Sequence, residues 1–369
     1  MRKEVILILF VLFGIIGCVR SEFEFKNAEI IDIRVFTNGG FAVIYSSNET
    51  VNVYSFSKLV TSFTRKSVFA SIGGTNTLGS YYKVSDFGFL RNGVFYLVGY
   101  KPTLGWVVKI GNSDSGYYSY VSEFSCSENG KMVGYIYNVG GEYDGTNVYG
   151  GKYYVNVNGV DYGPYDFAKD LLLFEDEGVF VFSFKQGRNY RLKVGDYEYS
   201  DYDYVMLPRN MVRISEFNFI YKVGRDWFLY PDERLPREVF GFVMADNEYF
   251  LLLSNSNFTI VTNPHTNFLV EGRVLDIVGS GKYLVLSEVS DGKKLMFDRF
   301  YGSYQDITKY EVRGNKLVFK YKSNDQWYVY GGVKSYGPFE LVDFAVVGNK
   351  IFIGYVEKGR VKLMSEKLE

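Results

Sequence analysis

Phe167 to Asp203, FAKDLLLFEDEGVFVFSFKQGRNYRLKVGDYEYSDYD, holds four short runs separated by turn residues. Residues 171–174 are apolar and stop at Asp176-Glu177-Gly178; residues 179–184 are apolar almost throughout and stop at a polar turn, 185–189. Residues 190–194 alternate, and a wetter run follows at 197–202. Continuous apolar runs are expected where a strand is covered on both faces, and alternation where one face is open. The stretch therefore predicts a four-stranded sheet whose inner strands are buried by neighbours. One sheet of this size cannot stand alone, so the rest of the chain should supply copies.

It does. A unit at 30–56 has an inner run, the turn Asn38-Gly39-Gly40 and two further runs. Units of the same order follow at 86–110, 123–157, 167–203, 205–230, 239–261, 274–297, 310–330 and 343–364. A polar insertion at 65–80 follows the first unit, and a long loop at 138–151 interrupts the third. Most units recur roughly every 33 to 38 residues, the spacing of four-stranded propeller blades. The ninth lacks a fourth run. Phe23-Glu24-Phe25-Lys26 precedes the first inner run as Ser335-Tyr336-Gly337-Pro338-Phe339 precedes the ninth, so the amino-terminal segment should complete the last blade. The expectation is an all-β chain with one domain at 22–369, a single closed β-propeller of about eight or nine blades, because closure leaves only short protected edges.

Composition agrees. The 34 Tyr and 32 Phe suit pleated surfaces, and 39 Gly against 7 Pro suit tight turns that need positive φ. Lys and Arg number 41 against 42 Asp and Glu. There is no basic excess of the kind a phosphate-binding surface shows, so nucleic acid is not expected as a partner. Cys126 lies in an inner run and reads as a small apolar core residue; no disulfide with Cys18 is expected.

Residues 1–21, MRKEVILILFVLFGIIGCVRS, start with Arg2 and Lys3 and run apolar from Val5 to Ile16. The run is short for a bilayer span and reads as an export signal. Ile15-Ile16-Gly17-Cys18 resembles the bacterial lipobox, with Ile15 where leucine is usual, and the resemblance implies that Cys18 is lipidated and becomes the mature amino terminus. Cleavage after Ser21 is the competing reading, and an uncleaved anchor the third. Two or more acyl chains, at about 0.8 kcal/mol per buried methylene, would hold the domain durably outside the cytoplasm.

The repeat resembles those of the TolB-like and WD40-like propeller proteins of the bacterial cell envelope. Tyr154-Val155-Asn156-Val157-Asn158-Gly159, Glu177-Gly178 and the pair Tyr162-Gly163-Pro164-Tyr165 and Tyr336-Gly337-Pro338-Phe339 carry the likeness. It covers nearly the whole chain after the signal and implies a fold, not an activity. The Gly-His and Trp-Asp dipeptides of true WD40 repeats are absent from the sequence.

An acidic residue recurs near the start of most inner runs: Asp32, Asp86, Glu123, Asp170, Asp276 and Asp343. Equivalent positions in a propeller form a ring, so these carboxylates could hold a cation such as calcium, or a basic ligand. The plainer reading is that each accepts local backbone N–H bonds. The single histidine, His265, sits in Asn263-Pro264-His265-Thr266-Asn267 and reads as a surface turn residue. No nucleophile elbow, phosphate-binding loop or Cys/His cluster occurs in the sequence. Tyrosines at 117–120, 135–153 and 197–204 could stack on sugars, or fill the wedges between blades. These features predict an exported, lipid-anchored, monomeric propeller that binds a protein or polysaccharide partner and is not an enzyme, its specificity carried by the loops at 65–80 and 138–151. The alternative is a carbohydrate-active propeller, a glycosidase or lyase, using the acidic positions.

Overall fold

The computed structural model of the chain describes residues 19–24, 29–35, 41–47, 50–56, 80–81, 83–90, 94–101, 103–111, 113–127, 130–209, 217–231, 233–235, 239–245, 248–255, 258–265, 267–279, 283–297, 299–313 and 315–368. They form nine four-stranded sheets and one two-stranded hairpin, the fold of a β-propeller with four-stranded antiparallel blades. Cys18 and the insertion at 65–79 lie outside the described residues.

Sheet 1 consists of Glu29–Val35, Phe41–Ser47, Thr50–Phe56 and Ser80–Tyr81, and sheet 2 of Lys83–Phe89, Phe95–Lys101, Gly105–Ile110 and Ser113–Asp114. Tyr120–Cys126, Val133–Val139, Lys152–Val157 and Val160–Tyr165 make sheet 3. Sheet 4 is Phe167–Phe174, Val179–Gln186, Asn189–Val194 and Tyr197–Tyr202, the four strands read from the opening stretch. Sheet 5 is Tyr204–Met206, Ile220–Val223, Asp226–Leu229 and Glu233–Arg234; sheet 6 is Val239–Ala245, Glu248–Asn255, Phe258–Thr262 and Asn267–Glu271. Arg273–Gly279, Tyr283–Val289, Gly292–Met296 and Phe300–Tyr304 make sheet 7, and Asp306–Arg313, Lys316–Ser323, Gln326–Gly331 and Ser335–Phe339 make sheet 8. Sheet 9 takes Leu341–Val347, Lys350–Glu357 and Arg360–Lys367 from the end of the chain and Val19–Glu24 from its start.

The expected fourth strand of the last sheet is thus supplied by the amino-terminal segment, a few residues earlier than Phe23–Lys26. It runs antiparallel to Arg360–Lys367, with Val19 opposite Ser365 and Glu24 opposite Arg360. The chain divides into two compact units, Met1–Pro102 with Ile110–Asn112 and Tyr304–Glu369, and Thr103–Lys109 with Ser113–Ser303. In the first, sheet 1 packs on sheet 9 through Ile33, Val35, Phe41 and Val43 against Ala345, Phe352, Val361 and Leu363. Sheet 8 packs on the other face of sheet 9 through Val318 and Val329 against Phe344, Val346 and Ile351.

The second unit repeats this arrangement. Sheet 4 buries Phe180, Phe182 and Phe184 against Ile136, Val155 and Tyr165 of sheet 3, and Phe174, Val181 and Leu192 against Val205 and Phe219 of sheet 5. Further clusters join sheet 5 to sheet 6 and sheet 6 to sheet 7. Coverage on both faces is why the second strand of sheet 4, Val179–Gln186, is apolar at most of its positions. Each fully buried large side chain contributes about 1.5 to 3 kcal/mol, so the sheets stabilise one another rather than themselves.

The Tyr-Gly-Pro motifs have one structure in two places. Gly163 has φ +136° and Gly337 φ +134°, where a Cβ would lie 2.9 Å from the Tyr153 carbonyl oxygen or from that of Trp327. Glycine is needed there on both counts. Cys126 is exposed, contrary to the expected core position. It is the last residue of its strand, and the buried place falls to Ser127, whose Oγ accepts the Met132 N–H and donates to Glu175.

Candidate functional site

The acidic positions share a backbone device. In sheets 1, 2, 3 and 7 the inner strand carries one extra residue against its partner, and the acid follows it: the register shifts between Ile30 and Asp32, Val84 and Asp86, Val121 and Glu123, and Val274 and Asp276. A β-bulge leaves backbone groups off the ladder and re-aims the side chain beside it. The carboxylates satisfy those groups. Asp32, Asp86 and Asp276 each accept the N–H of the next residue, Ile33, Phe87 and Ile277, at 2.8, 2.8 and 2.9 Å. Two others reach a neighbouring sheet: Glu123 accepts from Leu171 N at 2.9 Å and Asp343 from Val35 N at 2.7 Å. In sheet 4 Asp170 and Leu171 together lie opposite Phe182, again one residue in excess, and Asp170 sits at φ 60°.

The position after the bulge is not acidic throughout. It is Gly241 in sheet 6 and Lys309 in sheet 8. In the first unit cations alternate with the carboxylates. Arg34 Nη1 donates to Asp86 at 2.7 Å and to the Phe87 carbonyl at 2.9 Å, while its Nε lies 3.5 Å from Asp32. Lys309 Nζ donates to both oxygens of buried Asp343 at 3.0 Å and to the Phe344 carbonyl at 2.5 Å. Lys320, cross-strand from Lys309, lies over the Trp327 ring at 4.5 Å. Burial lowers the Lys320 ammonium below the usual lysine range and raises Asp32, although Arg34 pulls Asp32 the other way. Asp32, Asp86 and Asp343 therefore face Arg34, Lys309 and Lys320, three charges of each sign.

In the second unit Glu123 is pushed up to about 7, first by burial and then by the neighbouring Asp170. Asp170 is 3.0 Å from Lys169 and accepts from Ser183 Oγ at 3.2 Å. Arg209 approaches the Asp276 bulge and donates to the Leu275 carbonyl at 2.7 Å. Among the described residues no group of three His, Cys, Asp or Glu side chains comes together as a metal-binding set. Arg34, Lys169, Arg209 and Lys309 are the participants that sequence reading missed. Arg209 and Lys309 meet groups on other sheets and Arg34 reaches Asp86 on another sheet, whereas Arg34 beside Asp32 and Lys169 beside Asp170 are also neighbours along their own strands, a spacing that hints at a role. His265 is exposed in a turn where its N–H donates to Asn263 Oδ1 at 2.8 Å, as its surroundings predicted.

The loop at 138–151 is a structured hairpin, Glu142–Tyr143 paired with Val148–Tyr149. Its base is fixed by buried Asn138, which donates to the Gly150 carbonyl at 3.1 Å and accepts from Gly141 N at 3.1 Å. Its turn is fixed by Asp144, which accepts from Thr146 and Asn147 at 2.8 and 2.7 Å; these bonds hold the carboxyl below the usual range. Tyr143 stacks on Tyr120 at 5.4 Å and meets the edge of buried Trp106 at 5.5 Å. Tyr117, Val139 and Tyr149 are left open to solvent beside this lattice.

No protein-family model matches the chain, and no curated protein sequence does. It is similar in structure to virginiamycin B lyase from Staphylococcus aureus (8% identity, TM-score 0.31, covering 94% of this chain and 99% of that one). A Dos1 propeller gives 11% identity and a TM-score of 0.44, covering 93% of each chain. Acylaminoacyl peptidase from Pyrococcus horikoshii gives 11% and 0.41, covering 84% of this chain and 58% of that one. At such identities the likeness concerns the propeller fold alone.

Proposed function

We propose that the chain is an exported, lipid-anchored propeller of the cell envelope that binds a polysaccharide or protein partner without turning it over. The observation that carries this reading is the occupation of the acidic positions: Asp32, Asp86, Glu123, Asp276 and Asp343 hold backbone N–H groups, and three of them also face cations. What departs from the repeat is the hairpin at 138–151, with open tyrosine faces beside hydrogen-bonding Asp144 and Asn147. Ring faces above polar groups suit the C–H surfaces and hydroxyls of a pyranose. Anchoring through Cys18 is supported by the strand Val19–Glu24. Processing at Cys18 keeps all six of its pairings, whereas a cut after Ser21 removes the three of Val19, Arg20 and Ser21.

A glycan array probed with the full chain and with Tyr149→Ala tests the binding reading. Retention of a glycan class by the wild type, its loss in the variant and no released sugar are expected; no binding of any glycan or envelope protein would end the reading. The second reading, a carbohydrate-active enzyme, is favoured by one observation: Glu123, raised to about 7 beside Asp170, has the proton affinity of a general acid. Release of sugar by the wild type and none by Glu123→Gln would establish it instead.

A further inference from the structure

We infer that Lys320 is a nucleophilic amine that holds an aldehyde-bearing ligand as a reversible imine. Every residue concerned belongs to sheets 1, 8 and 9 of the first unit, so the inference stands apart from the anchored and glycan-binding readings.

The register carries it. In sheets 2, 3, 6 and 7 the residue opposite the one that follows the bulge is Val98, Ile136, Leu252 and Leu286, all buried, and in sheet 1 it is Ile44. Sheet 8 replaces both members of this pair: Lys309 stands after the bulge and Lys320 stands opposite it. An amine in the place of an aliphatic side chain gives up core packing, and drawing an ammonium out of water is costly unless it is paired. Like charges directly opposite each other on adjacent strands also repel.

The two lysines differ in what surrounds them. Lys309 Nζ is taken up by both oxygens of Asp343 at 3.0 Å and by the carbonyls of Phe344 and Val35. Lys320 is half-buried, and among the described residues its Nζ has no hydrogen bond and no carboxylate within 4.0 Å. It lies 4.5 Å from the centroid of the Trp327 ring. Burial is the largest influence on this ammonium and lowers it below the usual lysine range; Lys309 acts in the same sense, while Asp343, Asp32 and Asp306 act against it. The free amine is therefore more populated at neutral pH than in an ordinary lysine, and the free amine is the form that attacks a carbonyl. The Nζ lone pair forms the bond to the carbonyl carbon. The carbonyl oxygen takes up both amine protons and leaves as water, so a carbon–nitrogen double bond remains and nothing is oxidised or reduced. Trp327 offers a flat apolar face beside the new bond.

The test uses the full chain with glyceraldehyde as the probe, cyanoborohydride to reduce any imine to a stable secondary amine, and peptide mass spectrometry to read the modified fraction of each lysine. At pH 7 Lys320 should react at least about fivefold faster than exposed Lys350 and Lys358, and this advantage should shrink to about twofold or less near pH 10.5, the ordinary lysine value. Lys320→Leu restores the residue type of the repeat; it should raise the midpoint of thermal denaturation by about 2 °C or more and leave labelling of Lys350 and Lys358 unchanged. An advantage of Lys320 below about twofold at pH 7 would overturn the inference. So would a Lys320→Leu variant less stable than the wild type, because the amine would then be a structural part of the sheet.

Discussion

Replacing Glu123 with Gln should change how stability depends on pH. The carboxyl is raised to about 7 from the ordinary 4.5, chiefly by burial, and it accepts the Leu171 N–H that joins sheet 3 to sheet 4. Because the folded state holds the proton more tightly than the unfolded chain, this group's favourable contribution is fully present below pH 4.5 and is lost as pH rises through 7. A shift of this size corresponds to about 3 kcal/mol. Gln keeps an oxygen for Leu171 N–H and has no charge to desolvate. The stability of the variant relative to wild type should therefore rise between pH 4.5 and 8 by about 3 kcal/mol, with most of the change between pH 5 and 7. Urea denaturation followed by tryptophan fluorescence at pH 4.5, 6 and 8 measures it. A difference between variant and wild type that stays constant to within a few tenths of a kcal/mol across that range would refute the burial argument.

Asp343→Ala removes the acceptor for Val35 N–H and leaves Lys309 without its carboxylate; it should cost about 3 kcal/mol, read by urea denaturation. Gly337→Ala places a Cβ 2.7 Å from the Tyr328 ring at φ +134°, and its cost should exceed about 2 kcal/mol, whereas Gly178→Ala, at φ +64° with nothing within 4 Å, should cost about 1, both read by thermal denaturation. Phe182→Ala, which opens the contact between sheets 3 and 4, should cost about 3 to 5 kcal/mol and lower the denaturation midpoint accordingly.

The fold was legible because a propeller blade is written locally. Continuous apolar runs mark strands covered on both faces, and the turn residues Asp176-Glu177-Gly178 fall where sheet 4 turns from its first strand to its second. The fourth strand of sheet 9 was legible as a deficit: the last unit came up one strand short. Less could be read of the acidic positions. Their recurrence is visible in sequence, but a bulge is a property of two strands, and one strand read alone does not reveal the extra residue. Two of the cation–acid pairs join distant parts of the chain, 52 residues apart for Arg34 and Asp86 and 34 for Lys309 and Asp343. The hairpin at 142–149 was missed because paired runs of two residues show no periodicity. Cys126 was misplaced because its strand was read as covered to the end, whereas Ser127 takes the buried place.

Everything proposed for the anchored end depends on the strand that joins the two ends of the chain. Glu22→Cys with Lys362→Cys, in a Cys126→Ser background, puts a pair of thiols on residues directly opposite each other in sheet 9. Under mild oxidation the folded protein should form the 22–362 disulfide nearly completely and migrate as a compact band on non-reducing gels, while the control pair Glu22→Cys with Lys367→Cys, at the far end of the same neighbouring strand, should not. Failure of the first pair to cross-link in folded protein would contradict the assignment of the amino-terminal strand to the last sheet.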